Sequence, residues 1–237
     1  MVIMKKIEEF FTPKRLFFIA MFAALAFVTQ RINFSALIGT ENQFFTLFQF
    51  VGPIAGAFLG PVVGVLAVFI AEVTDIIIGQ KAVTMLTVLR IAPMLFATYY
   101  FATRRKALNI IAPLVAIIAF VIHPIGRQVW FFALYWAIPI VVELLPKQYS
   151  DHVLAKSYGA TFTAHAVGGM LWIWTVPMTA AQWIALIPVV AYERLLFGAG
   201  ICVSYLMLNA SFDKALTWIK VKVPESVLRI NKKYTVA

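Results

Sequence analysis

Two carboxylates, Glu72 and Asp75, stand three residues apart inside the apolar stretch 44–79, a spacing that puts both on one face of a helix. Carboxylates are expensive within a hydrocarbon layer and face a partner or a polar site there. Arg90 follows about two turns into the next apolar stretch; its planar guanidinium can grip a carboxylate on two prongs. His165 lies in the small-residue segment TFTAHAVGG, and Trp172 and Trp174 follow it. An apolar lining with a few polar anchors is what a small-molecule site requires, so Glu72, Asp75, Arg90, His165, Trp172 and Trp174 form a candidate substrate-binding set. Other roles stand beside this one. An Arg90–acid ion pair would lock helices together. The tryptophans, with Trp130 and Trp183, would form an interface belt. His165 would be a hydrogen-bonded packing residue, or a proton relay. Glu193 and Arg194 are adjacent and point about 100° apart on a helix, which calls for different partners in internal ion pairs.

Catalysis finds no such set. There is no HExxH, no glycine-flanked serine and no phosphate-cradling loop. His123, His152 and His165 fall at different depths, so they make no zinc site. The single cysteine, Cys202, allows neither an internal disulfide nor a cysteine-based metal site. The chain is therefore expected to be no enzyme, with no metal and no cofactor. It also carries no ATP-binding motif, so ATP-driven movement of a solute would need a separate subunit.

The elements that must position these residues are membrane helices. The chain is 62% hydrophobic and 13% charged over 237 residues, more apolar than a water-soluble domain of this size can hide. Glycines recur every fourth residue at 52, 56, 60 and 64, which lets helix backbones touch inside lipid. With about 20 apolar residues per crossing, spans are expected near 15–37, 44–60, 61–79, 84–102, 107–125, 127–145, 158–177 and 181–209. The segment HPIGR, residues 123–127, is either a turn between two full spans or the break in a re-entrant hairpin. The first span reads as uncleaved, with Thr12 as N-cap and Pro13 at the first helical position. The expected fold is an all-α, polytopic helical bundle of six to eight spans over residues 1–210, with a basic tail at 211–237.

Placed on this scheme with the N-terminus inside, fifteen of the twenty cations fall in cytoplasmic segments, from Lys5 and Lys6 through Arg104 and Arg105 to Lys232 and Lys233. That bias puts both termini in the cytoplasm of a plasma-membrane protein. It explains the net charge of +10 without nucleic acid. The tail either lies on anionic headgroups or docks on a cytoplasmic partner. Glu72, Asp75 and Arg90 fall in the outer half.

The run FLGPVVGVLAVFIAEVTDIIIG resembles the substrate-capturing membrane subunits, or S components, of energy-coupling factor (ECF) transporters. Gly60, Pro61, Gly64 and Asp75 match that family's Gly-Pro turn, small-residue spacing and outer acid, and Ala20 and Ala24 match its Ala-x-x-x-Ala pattern. The resemblance covers roughly the first hundred residues. It implies capture of a vitamin-like small molecule from outside, a transmembrane coupling subunit docked at Ala20 and Ala24, and two cytoplasmic ATPases. The family usually has six spans, which would make 107–145 an insertion. A stand-alone secondary transporter, an accessory subunit of a larger membrane complex and an intramembrane enzyme are the rival readings.

Overall fold

The structure, a computed structural model, describes residues 12–36, 44–103 and 106–235. Lys5, Lys6, Arg104 and Arg105, four of the cations used to orient the chain, lie outside them. The described residues are predominantly helical. Helix α1 (Pro13–Thr29) begins as expected, with Thr12 Oγ1 accepting from the Arg15 N–H and Pro13 in the first turn. It ends earlier than the expected span. After Gln30 the chain turns extended, and β1 (Asn33–Ala36) pairs antiparallel with β2 (Phe44–Thr46). Leu47 N–H to Ile32 O, 3.0 Å, continues the ladder. Polar Asn33 and Ser35 alternate with Phe34 here, a period of two that suits a ribbon and not a helix.

Helix α2 (Phe48–Leu59) and α3 (Pro61–Ile78) form a hairpin about Gly60. Gly60 has φ +84°, a conformation that a side chain disfavours, and Pro61 then starts α3 with its fixed φ. The small-residue spacing has a direct structural use. A methyl placed on Gly64 would collide with the Gly56 backbone, and one on Gly56 would collide with the carbonyl oxygen of Thr98. Thus α2 is pressed between α3 and α5 (Ile91–Ala102), which continues the short α4 (Met85–Leu89). Thr98 Oγ1 bonds Gly52 O at 3.1 Å and Met94 O at 2.8 Å across that seam.

The region 107–145 is one helix followed by a broken return. Helix α6 (Lys106–Ile122) stops at His123, which N-caps α7 (Pro124–Gln128); a 3-10 helix (Trp130–Trp136) and α8 (Ala137–Leu144) lead back. After the one-turn α9 (Lys147–Ser150), α10 (Val153–Thr175) runs through the middle of the bundle, against α5, α6, α8 and α11 (Ala180–Trp218). A capping box between Thr179 and Gln182 starts α11. The division expected at residue 210 falls inside this 39-residue helix. Residues beyond it fold back: Val227 and Leu228 are buried, Arg229 N–H donates to Phe58 O at 2.8 Å, and the Asn209 amide bonds Asn231 and Tyr234. Arg15 donates to Ser226 O. The tail therefore closes the bundle end where α1 begins.

Three helices are long and apolar enough to cross a membrane, Pro61–Ile78, Met85–Ala102 and Ala180–Trp218; shorter apolar helices include Phe48–Leu59, Ala107–Ile122 and Trp130–Leu144. Large apolar side chains point outward on most of them, among them Val62, Ile77, Ile111, Val115, Ile118, Leu195, Val203 and Met207. An outer surface this apolar suits lipid and not water. Inside, one apolar core surrounds Phe22, Phe58 and Tyr205, and a second surrounds Phe120, Phe132, Trp136 and Trp183.

Candidate functional site

At the end of the bundle opposite the tail, the last turn of α1, the ribbon, the end of α3, α4, and the facing halves of α10 and α11 enclose a cavity of about 650 Å³. That volume suits a drug-sized solute. Five of the six residues singled out from the sequence border it: Glu72, Asp75, Arg90, His165 and Trp172. They come from α3, the α4–α5 junction and α10, so the cavity exists only because the Gly56–Gly64 seam and the ribbon bring these elements together.

Trp174 does not join them. Its indole N–H donates to Ala119 O at 3.1 Å, its ring meets His123 edge-on, and it borders a separate shallow groove with His123 and Met178. Residues two apart on a helix point about 200° apart, so Trp172 and Trp174 cannot line one site from α10. His123 is spent on capping α7, and Trp130 is exposed. Ala20 and Ala24 are both exposed on the outward face of α1, beside Leu16, Phe17 and Val28.

The ionic lock anticipated between Arg90 and an acid is built differently. Asp75 is held by two other cations: Arg31 at 2.9 Å from one carboxylate oxygen, and Lys81 on the other. Both come from the connections at the ends of α1 and α3, and both are partly exposed while Asp75 is buried. Arg31 also lies over the Phe27 ring at 4.4 Å. Arg90 instead donates to the Phe44 carbonyl at 3.0 Å, fastening β2 to the α4–α5 junction. Glu72, one turn before Asp75, is half-buried and has no hydrogen bond or ion pair among the described residues, although Arg90 and Lys81 are near enough to act on its charge.

Deeper in the cavity His165 is held by Trp136, whose indole N–H donates to Nδ1 at 3.0 Å. A neutral imidazole accepting at Nδ1 carries its proton on Nε2, so Nε2–H is the donor left for an occupant. Trp136 is fully buried against Gly169, one turn beyond His165, where any side chain would strike the indole. Glu193 and Arg194, expected to need separate partners, reach each other: Arg194 folds back to Glu193 at 3.4 Å. Ser35 Oγ donates to Glu193 at 2.6 Å, and the Arg194 guanidinium lies over Phe45 and Phe197 at 4.7 and 4.5 Å. This buried pair anchors both strands of the ribbon to α11.

Arg31, Lys81, Glu193 and Arg194 also border the cavity, although none belongs to the candidate set drawn from the sequence. Gln30 and Trp183 also border the cavity; the Gln30 amide, the Trp183 indole N–H and Arg194 Nε are buried without a hydrogen-bond partner among the described residues. Buried polar atoms of that kind cost about 1–3 kcal/mol each until something pairs them. No group of three His, Cys, Asp or Glu among the described residues is placed to hold a metal ion. The arrangement suits reversible recognition: an aromatic and aliphatic wall, an acid and a guanidinium that do not pair with each other, and spare donors.

A scan against protein-family models, a search of curated proteins and a search of solved structures each gave no match.

Proposed function

We propose that the chain is a membrane-embedded solute-binding subunit of an ECF-type uptake transporter, taking a vitamin-like small molecule from the extracellular side. The observation that carries this reading is the open-mouthed cavity in which Glu72 and Arg90 remain unpaired with each other while Asp75 does the structural ion pairing. A protein using these charges only as staples would pair them all and leave no hollow. The chain would cross the plasma membrane six to eight times, with both termini cytoplasmic and the cavity mouth outside, where the positive-inside bias puts the fewest cations.

Nothing in the described residues provides an energy source, and the sequence has no ATP-binding motif. A transmembrane coupling subunit and cytoplasmic ATPases would supply it, with the exposed Ala20–Ala24 face of α1 as the contact. Small side chains let a partner helix approach closely. The test is copurification from membranes that contain such partners, with uptake measured in vesicles. Recovery of ATPases and ATP-dependent uptake are expected, and replacing both Ala20 and Ala24 by Trp should abolish both. Uptake driven by an ion gradient in the purified chain alone would refute the proposal.

A further inference from the structure

The charges on the described residues around the cavity do not cancel. Arg31, Lys81, Arg90 and Arg194 border it, against Glu72, Asp75 and Glu193. Glu193 and Arg194 neutralise each other. Asp75 neutralises one of its two cations. One of that pair, Arg90 and Glu72 remain: a surplus of one positive charge with Glu72 ionised, and of two with it protonated. Summed over the described residues, the sign is positive either way. Uncompensated charge in a partly dehydrated site is unfavourable and calls for a counter-charge. The surplus lies toward the mouth, where Arg31 and Lys81 are 41% and 50% exposed. The deep wall presents a different chemistry. His165 Nε2–H is a hydrogen-bond donor with no acceptor among the described residues.

We propose that the cargo is a flat organic anion, of the ring-bearing carboxylate class. Its carboxylate faces Arg31, Lys81 and Arg90 at the mouth. Its ring lies beside Trp172, and an acceptor on its far edge meets His165. This rests on the solute-binding reading above. A phosphate would satisfy the same cations, and near a membrane surface the competing source of phosphate is an anionic lipid headgroup.

The experiment uses the full chain in phosphatidylcholine nanodiscs, its melting followed by tryptophan fluorescence. The probes are mono- and bicyclic heteroaromatic rings, each presented as the carboxylate, the carboxamide and the aminomethyl compound. Stabilisation is expected from carboxylates, not from the matched amines. Arg90→Gln should weaken the best carboxylate about tenfold or more, as loss of a charged hydrogen-bond partner does. Glu72→Gln removes a negative charge from the cavity and should raise that carboxylate's affinity. Melting of each variant without probe separates lost binding from lost folding. Stabilisation by the amines, or equally by all three forms, would overturn the anion while leaving a solute-binding cavity. Silence from every probe in well-folded protein would overturn both. The carboxylate response should persist in discs containing phosphatidylglycerol; its abolition there would assign the mouth charges to lipid headgroups and overturn the proposal.

Discussion

Replacing Gly64 by Ala tests the link between the helix seam and the cavity. A methyl at residue 64 would sit 2.6 Å from Gly56 N and 2.8 Å from the Ala55 carbonyl carbon, whereas non-bonded carbons prefer about 3.5–4.0 Å. Those neighbours are backbone, so no rotamer change relieves the contact. Helices α2 and α3 must separate by roughly 1 Å to restore that spacing. Overpacking of this kind costs about 1–3 kcal/mol. At about 2–4 °C per kcal/mol for a chain of this length, the melting temperature should fall by roughly 2–12 °C. Cys202 is the chain's one cysteine and is 8% exposed, so a thiol-reactive fluorophore reports unfolding directly. Because α3 carries Glu72 and Asp75, cargo affinity should fall along with stability. Val62→Leu, at a lipid-facing position 69% exposed on the same helix, is the control and should change neither. A Gly64→Ala protein that melts with the wild type would refute the close backbone contact and the positioning argument built on it.

Trp172→Ala should weaken binding of the carboxylate that the charge argument anticipates by roughly tenfold or more, the loss typical of an aromatic anchor in a buried site. Trp174→Ala should leave that affinity unchanged by isothermal calorimetry, since this residue borders the other groove. Removing residues 221–237 exposes core against which Val227 and Leu228 pack and strips Asn209 of its partners. At about 2 kcal/mol or more for burying two such side chains, the melting temperature should drop by several degrees; an unchanged value would show that the tail contributes nothing to the bundle.

Some features were legible because one residue type has one structural use. Thr12-Pro13 marks a helix start, Gly60-Pro61 marks a turn, and glycines four apart mark a close helix contact; each appears where the pattern places it. Glu72 and Asp75 share a face for the same local reason. What the pattern could not supply is which residues from distant connections arrive there. Arg31 and Lys81 carry no local signal, because their value depends on where α1 and α3 end. The apolar run through Leu37 hid that end, since hydropathy does not distinguish an apolar ribbon from the last turn of a helix. The Glu193–Arg194 pair was missed for another reason. Helical angle alone says adjacent residues diverge, but an arginine is long enough to fold back over Phe45 and Phe197 onto its neighbour.

The two acids one helical turn apart differ: Asp75 is an ionic staple, whereas Glu72 borders the cavity without an ion pair among the described residues. Asp75, nearer the end of α3, is within reach of cations on both flanking connections and is consumed by them. Glu72 lies one turn before it and forms no ion pair among the described residues, and Arg90 donates to the Phe44 carbonyl instead. That backbone contact occupies one Arg90 prong, and Arg90 and Glu72 form no ion pair with each other. If the ribbon releases Phe44, Arg90 is freed to pair with Glu72 and fill the space a cargo would take. The ribbon is thus part of the site: it occupies one guanidinium prong of Arg90 through the Phe44 carbonyl and is tied to α11 by Ser35 and Phe45.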